Sequence, residues 1–294
     1  MFLIYLPNRD TVNLTLIQKS RASMVSSAAM CAALYALVNA LTSFVSTPWG
    51  IGEFRPGVVI PAFFAIVSGP IPAAIGAGVG SFVGDMVTLV PEGRSTFIWA
   101  IGAGGVGNFL GFLVMGWVFQ KLKTWRGFVA GTTSGLFVGN LVAAAGVALL
   151  GMFFLPPSTI NPFPGMPGGL ASGLLVGLLL FWFGTMFPFV IIFVPTLVRM
   201  MKPYASQLSP TGSYPEIERP SSRVLWSWSI LVAALVLGAL LFALFSNYPG
   251  VSSIVSGYGG SFWWTMLFVV SAAAIIVVGA LLPKAKLKAD NQKT

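Results

Sequence analysis

Residues 97–126 read FIWAIGAGGVGNFLGFLVMGWVFQKLKTWR and decide the class of fold. Residues 97–119 carry no charge, and a helix of that length crosses the roughly 30 Å of hydrocarbon in a bilayer at about 1.5 Å per residue. Lys121, Lys123 and Arg126 follow at once. An apolar run that ends in basic residues is typical of a transmembrane helix whose next loop is cytoplasmic.

Similar apolar runs recur along the whole chain. The sequence predicts eight spans, near 23–45, 55–68, 71–90, 97–119, 127–154, 168–198, 224–245 and 261–282. The second run is short, and Gly69-Pro70 turns it directly into the third. A tilted span or a partly buried re-entrant path would accommodate it.

Charge along the chain predicts the orientation of these spans. With the N-terminus in the cytoplasm, only Arg55 and Arg94 fall on the outer side. The other fourteen of the 16 basic residues fall on the inner side: Arg9, Lys19, Arg21, Lys121, Lys123, Arg126, Arg199, Lys202, Arg219, Arg223, Lys284, Lys286, Lys288 and Lys293. Because basic residues are retained in the cytoplasm, we expect a multi-pass protein of the cell membrane with both termini inside.

Composition excludes several classes of function. Hydrophobic residues make up 56% of the chain and charged residues 8%, which excludes a soluble fold. The net charge is +9, and the basic residues that produce it lie at the predicted membrane edges. This location predicts contact with anionic lipid rather than with nucleic acid. A single cysteine, Cys31, and no histidine leave no thiolate or imidazole metal cluster and no usual general base. We therefore predict no enzyme activity, no cofactor and no metal site.

The chain divides into five segments by composition. Residues 1–22 form a cytoplasmic N-terminal segment, and residues 23–200 a membrane domain of six spans with short connections. Residues 201–223 form a proline-rich cytoplasmic linker, 224–283 a transmembrane hairpin, and 284–294 a basic cytoplasmic tail.

Small residues recur every four positions on several spans. Because such a stripe lets another helix backbone approach closely, each one predicts a helix-packing surface. For the glycine stripes, packing within the chain is the favoured interpretation. The stripes are Ala28, Ala32, Ala36 and Ala40; Gly76, Gly80 and Gly84; Gly131, Gly135 and Gly139; and Gly169, Gly173 and Gly177.

Polar residues collect toward the outer side of the six-span domain. Asn39 lies in the outer third of span one, Asp85 about 8 Å from the outer end of span three, and Asn140 in the outer half of span five. The outer loops add Glu53, Arg55, Arg94, Trp49 and Trp99. Together these residues predict a pocket open to the exterior.

A structural role is the alternative for each of them. Loop charges can form exposed pairs of little energetic value, and the asparagines can join helices by hydrogen bonds. Asp85 is the only carboxylate within a span, and at that depth it needs water, a cation or a basic partner. Lining a pocket and pairing structurally are both open to it, with Arg55 or Arg94 as the expected partner.

Residues 47–61, TPWGIGEFRPGVVIP, lead into Ile66-Val-Ser-Gly-Pro70, and this segment resembles the first loop and second helix of the substrate-binding S components of energy-coupling factor (ECF) vitamin transporters. The stretch from Ala73 to Asp85 resembles their third helix, and Ala28, Ala32 and Ala36 resemble the Ala-x-x-x-Ala signature of their first. The resemblance covers residues 23–200. It implies an all-α integral membrane fold, a six-helix S-component-like bundle, to which this chain adds a C-terminal two-helix hairpin.

The resemblance also implies partners and a mode of action. In that family the alanine stripe docks on a transmembrane coupling subunit that two cytoplasmic ATPases drive, and the first loop gates an outward cavity for a small-molecule substrate. We therefore expect a substrate-capture subunit of an ATP-driven importer of a vitamin or related micronutrient. A Gly-x-x-x-x-Gly-Lys-Ser/Thr phosphate loop is absent from this sequence, which agrees with ATP hydrolysis by partners.

Two other functions stay open at this point. One is a self-sufficient secondary transporter or channel, for which Asp85 alone would have to serve the coupling ion. The other is a non-transporting membrane scaffold whose glycine stripes bind another protein. Co-purification with ATPases would favour the substrate-capture subunit, and ion-driven uptake by the lone chain would favour the secondary transporter.

Overall fold

The computed structural model describes residues 9–43, 52–89, 97–155, 163–165, 168–204, 215 and 217, and within these ranges the fold is helical. The hairpin at 224–283, the tail, and most of the linker lie outside the described residues. In chain order the elements are α1 (Arg9–Thr42), a 3₁₀ turn (Pro56–Val58), α2 (Val59–Val67), α3 (Pro70–Leu89), α4 (Phe97–Trp99), a π-helical segment (Ala100–Gly105), α5 (Val106–Leu122), α6 (Trp125–Phe153), α7 (Gly168–Met200) and a 3₁₀ turn (Lys202–Tyr204).

Five of the described helical segments are long and apolar enough to cross a membrane. They are Arg21–Thr42, Pro70–Thr88, Phe97–Leu122, Trp125–Phe153 and Ala171–Met200. The short α4, the π-helical segment and α5 run on without a break and form one of them. The chain is thus consistent with a multi-pass membrane protein.

The second predicted span corresponds to a short helix. The structure shows a shorter apolar helix, Pro56–Val67, which rises only about 18 Å at about 1.5 Å per residue. Gly69, with φ +97, then allows the tight turn into α3. All residues from Pro61 to Val67 are buried, so this short helix is enclosed by its neighbours rather than by lipid.

The short α2 nevertheless returns the chain from one end of the bundle toward the other. Gly76, Gly80 and Gly84 of α3 lie successively against residues 28–31, 32–35 and 36–39 of α1, so α1 and α3 are parallel. Two parallel neighbouring helices need a connection that runs back from the end of the first to the beginning of the second. Helix α2 supplies it: Gly57 lies against Val38 and Asn39, and Gly69 lies against Gln120.

Close approach of glycines fixes two helix pairs. On the α1–α3 side, a Cβ on Gly80 would lie 2.7 Å from the carbonyl oxygen of Ala32. On the α5–α6 side, a Cβ on Gly135 would lie 2.6 Å from the carbonyl oxygen of Gly111, and one on Gly107 would lie 2.8 Å from that of Gly139. Intrachain packing is therefore what these glycine stripes do, as the sequence favoured.

The two ends of the bundle differ in chemistry. The junction of α5 and α6 carries three basic residues, Lys121, Lys123 and Arg126. Lys123 adopts a left-handed conformation in the turn. The Thr124 hydroxyl then caps α6 by accepting from the Gly127 amide at 3.1 Å. Arg21 of α1 and Arg199 of α7 lie at the same end, which we call the basic end. The C-terminal ends of α1 and α3 and the beginning of α2 form the opposite end, which we call the polar end.

Candidate functional site

A buried ion pair lies at the polar end. Arg55 immediately precedes the turn that begins α2, and its Nη2 atom lies 2.7 Å from Oδ1 of Asp85 in α3. The exposed fractions of these side chains are only 11% and 3%. The Nη1 atom of Arg55 also donates to Oγ of Ser81 at 3.0 Å, one helical turn before Asp85. Arg55, one of the two arginines that the sequence offered to Asp85, is thus paired with it among the described residues.

Helix α1 contributes a third partner. Asn39 is fully buried and donates through Nδ2 to Oδ1 of Asp85 at 3.2 Å. An ionised carboxylate can only accept hydrogen bonds, so the amide nitrogen of Asn39 faces Asp85. The amide oxygen, Oδ1 of Asn39, therefore points elsewhere. The structure thus brings Asn39, Arg55 and Asp85 together, and their predicted role in binding a substrate stays a prediction.

A second set of hydrogen bonds supports the ion pair from α5. Nδ2 of Asn108 donates to Oγ of Ser81 at 3.1 Å and to the carbonyl oxygen of Gly104 at 2.8 Å. The hydroxyl of Tyr35, in α1, donates to Oδ1 of Asn108 at 3.0 Å. Tyr35 and Ser81 were not predicted as site residues. Their spacing was the available signal, because each precedes a predicted residue, Asn39 or Asp85, by four positions on one helix face.

The π-helical segment before α5 makes room for the Asp85 carboxylate. Gly104 lies so close to Oδ2 of Asp85 that a Cβ there would collide with it. Segments of π-helix in α-helices are rare and often occur at functional sites. Here the segment brings a backbone without a side chain against the charged group.

The loop before α2 brings in a second carboxylate and ties it to α7. Glu53 is buried, and its Oε2 lies 3.9 Å from Nη2 of Arg55. The indole Nε1 of Trp182 donates to the Glu53 carbonyl oxygen at 3.1 Å. Gly52 has φ +82, and a Cβ there would lie 2.5 Å from the Trp182 ring. This part of the first loop therefore packs against α7, and no larger residue fits at position 52.

These contacts define what we call the polar cluster: Tyr35, Asn39, Glu53, Arg55, Ser81, Asp85 and Asn108. Burial opposes the positive charge of Arg55, but attraction to Asp85, Tyr35 and Glu53 outweighs that effect and raises the pKa of the guanidinium above its usual value. Arg55 therefore remains cationic.

Asn140 lies beside the cluster rather than in it. It is buried in α6 and lines a cavity of about 20 Å³ together with Asn108 and the glycines of the α5–α6 contact. The Nδ2 atom of Asn140 is buried and has no hydrogen-bond partner in the described part of the chain. A space of this size holds about one water molecule. Asn108 links the cavity to the cluster, because it borders both.

Three other predicted site residues are not part of the described cluster. The Nε1 atom of Trp99 donates to the Val147 carbonyl oxygen at 3.3 Å, so this residue contacts α6. Trp49 and Arg94 lie outside the described residues.

The alanine stripe on α1 contributes to packing within the chain. Ala28 is buried, Ala32 and Ala36 are half-buried, and the carbonyl oxygens of all three lie against glycines of α3. The predicted coupling role of Ala28, Ala32 and Ala36 stays a prediction. The side chains of Ala29 and Ala33, one position further along, are exposed and accessible to a partner.

Comparison with protein-family models, with curated proteins and with solved structures finds no match for this chain.

Proposed function

We propose that this chain is the membrane-embedded substrate-capture subunit of an ATP-driven importer for a vitamin or related micronutrient, with the polar end facing outward. One observation carries the proposal: the Arg55–Asp85 pair, buried among apolar helices and joined to Asn39. Charged groups at such depth are costly, and in membrane proteins they mark solute or ion sites.

The position of Arg55 and Glu53 supports a capture role. Both belong to the irregular segment that precedes α2, while Asp85, Asn39 and Asn108 belong to long helices. A solute that takes over the contacts of Arg55 would release this segment from the helices. The Trp182 hydrogen bond to Glu53 and the edge-to-face contact of Phe54 with Phe189 would still tie this segment to α7.

The location of the basic residues supports the orientation. Lys121, Lys123 and Arg126 lie at the end opposite to the polar cluster, and basic residues favour the cytoplasmic side. The polar end then faces the exterior, where a nutrient arrives. Partner ATPases would act from the basic end.

Retention of solute tests the proposal directly. Asp85→Asn preserves shape and can still hydrogen-bond, but it removes the charge that holds Arg55, so we expect purified protein to retain its bound small molecule at least about tenfold less well, about 1.4 kcal/mol. Mass spectrometry of extracted solutes from wild type and variant measures this. Ser134→Ala, which removes a hydroxyl bonded only within α6 among the contacts described, is the matched control. Equal retention with lower thermal stability would make Asp85 purely structural.

Partner binding is a separate test. Substitution at Ala32 is unsuitable, because its backbone packs against Gly80. Ala33→Leu instead adds bulk to the exposed side of α1, and we expect it to lower the yield of ATPase subunits that co-purify with the tagged chain from native membranes by about tenfold. Ala130→Leu adds the same bulk at an exposed position on α6 and should not lower it. Uptake that the lone chain drives with an ion gradient would replace this proposal by the secondary-transporter function.

A further inference from the structure

The polar cluster carries an unbalanced negative charge. Among the described residues it contains two carboxylates, Glu53 and Asp85, and one arginine, Arg55, all largely buried. Asp85 takes the short contact with Arg55, at 2.7 Å, and Glu53 has only the 3.9 Å contact with the same nitrogen. One arginine compensates one carboxylate, so one buried negative charge remains when both carboxyl groups are ionised.

The other described groups that face the cluster supply no positive charge. Helix α1 contributes Cys31, Tyr35 and Asn39, α3 contributes Ser81, and α5 contributes Asn108; all are uncharged groups. Helix α7 contributes the neutral indole of Trp182. A buried carboxylate without a counter-charge is strongly unfavourable, and either a proton on one carboxyl group or a positive charge from outside the described residues would relieve it.

Two oxygen atoms are available to receive such a charge. Oε2 of Glu53 and Oδ1 of Asn39 are both buried and have no hydrogen-bond partner among the described residues; the same holds for one donor of the cluster, Nε of Arg55. The orientation of the Asn39 amide is set by its donation to Asp85, so its oxygen remains free as an acceptor. A carboxylate oxygen and an amide oxygen are ligands for a hard cation or acceptors for an ammonium group.

We propose that the polar cluster binds one compact monovalent cation through Glu53 Oε2 and Asn39 Oδ1. The described residues contain no group of three or more acidic, cysteine or histidine side chains that could hold a metal ion, and a divalent ion would favour more oxygen ligands with more charge. The same chemistry fits an inorganic ion or the protonated amine of a captured solute. An inorganic ion would bind there whatever the chain transports, and only the captured amine rests on the proposed function.

The test uses the full chain, purified in detergent in N-methylglucamine chloride. Sodium, potassium or methylammonium chloride replaces that salt at constant ionic strength, and the melting temperature is followed. We expect at least one of the three small cations to raise Tm saturably, by about 5 °C or more at concentrations far above its Kd. An effect of sodium or potassium alone identifies an inorganic ion, and an effect of methylammonium alone identifies an amine.

Variants connect this effect to the cluster. Glu53→Gln removes the charge with little change of shape, so we expect the rise in Tm to disappear or to need at least about tenfold more cation, whereas Ser134→Ala keeps it. Equal Tm in all four salts for the wild type would overturn the proposal, even if Glu53→Gln failed to fold. An undiminished rise in Glu53→Gln would also overturn it.

Arg94 needs its own variant, because it is the other basic residue predicted on this side and lies outside the described residues. If Arg94 supplied the missing charge, cation dependence would be absent in the wild type and present in Arg94→Gln, and the proposal would be wrong. Solute retention by Asp85→Asn is measured separately, so failure of the cation site and failure of the capture function are distinguishable.

Discussion

Replacing Arg55 by methionine should lower the free energy of unfolding by about 3–5 kcal/mol, the cost of breaking a buried pair by removing one partner. The variant leaves Asp85 and Glu53 as buried carboxylates without a described cation. Ser81 also loses its hydrogen bond from Nη1. For a bundle of this size we expect Tm in detergent to fall by about 10 °C.

A second substitution separates loss of the pair from loss of the side chain. Replacing a buried ion pair by apolar residues of similar size is often nearly neutral, so Arg55→Met combined with Asp85→Leu should recover more than half of the lost stability. The control is Arg126→Met, an exposed arginine at the basic end, where we expect a change within about 0.5 kcal/mol. A single Arg55→Met variant as stable as wild type would mean that the pair contributes nothing to folding.

The polar cluster shows which parts of a membrane site the sequence can predict. Asp85, Asn39 and Arg55 stand out because charged and amide groups are rare in apolar runs, and their depth follows from counting residues along each helix. Counting residues gives the depth of a side chain along the bilayer normal. It does not give the direction of that side chain around the helix axis. Trp99 and Asn140 were therefore grouped with Asp85 by depth, although the structure places them against α6 or the adjacent cavity.

Other features depend on contacts between segments that are distant in sequence. Tyr35 and Ser81 lie on different helices, and Asn108 of a third helix joins them by hydrogen-bonding with both. The Trp182 bond to the Glu53 carbonyl joins positions 129 residues apart, and no local pattern predicts it. The length of the second apolar run predicts an unusual span. Its path between the two ends of the bundle follows from the glycine contacts, which show that α1 and α3 are parallel.

The contact of α5 with α6 should be highly sensitive to added volume. A Cβ at Gly135 would lie 2.6 Å from both the Gly111 carbonyl oxygen and the Met115 Cβ. Such distances cannot be relieved by rotating a flexible side chain, because one neighbour is backbone and the other is fixed to it. Gly135→Val should therefore push the two helices apart along the whole contact.

We expect Gly135→Val to cost about 3 kcal/mol or more, at the upper end of the range for overpacked cores, and to reduce the yield of monodisperse protein. Separation of the helices would also open the cavity beside Asn108 and Asn140, which is lined by Gly107, Gly111 and Gly139. Support for the polar cluster from Asn108 would then weaken, so retained solute should fall in any protein that still folds. Ala130→Val, at an exposed position on the same helix, controls for β-branching and should leave yield and Tm nearly unchanged. Wild-type yield, Tm and solute retention in Gly135→Val would show that α5 and α6 do not approach at backbone distance in the membrane.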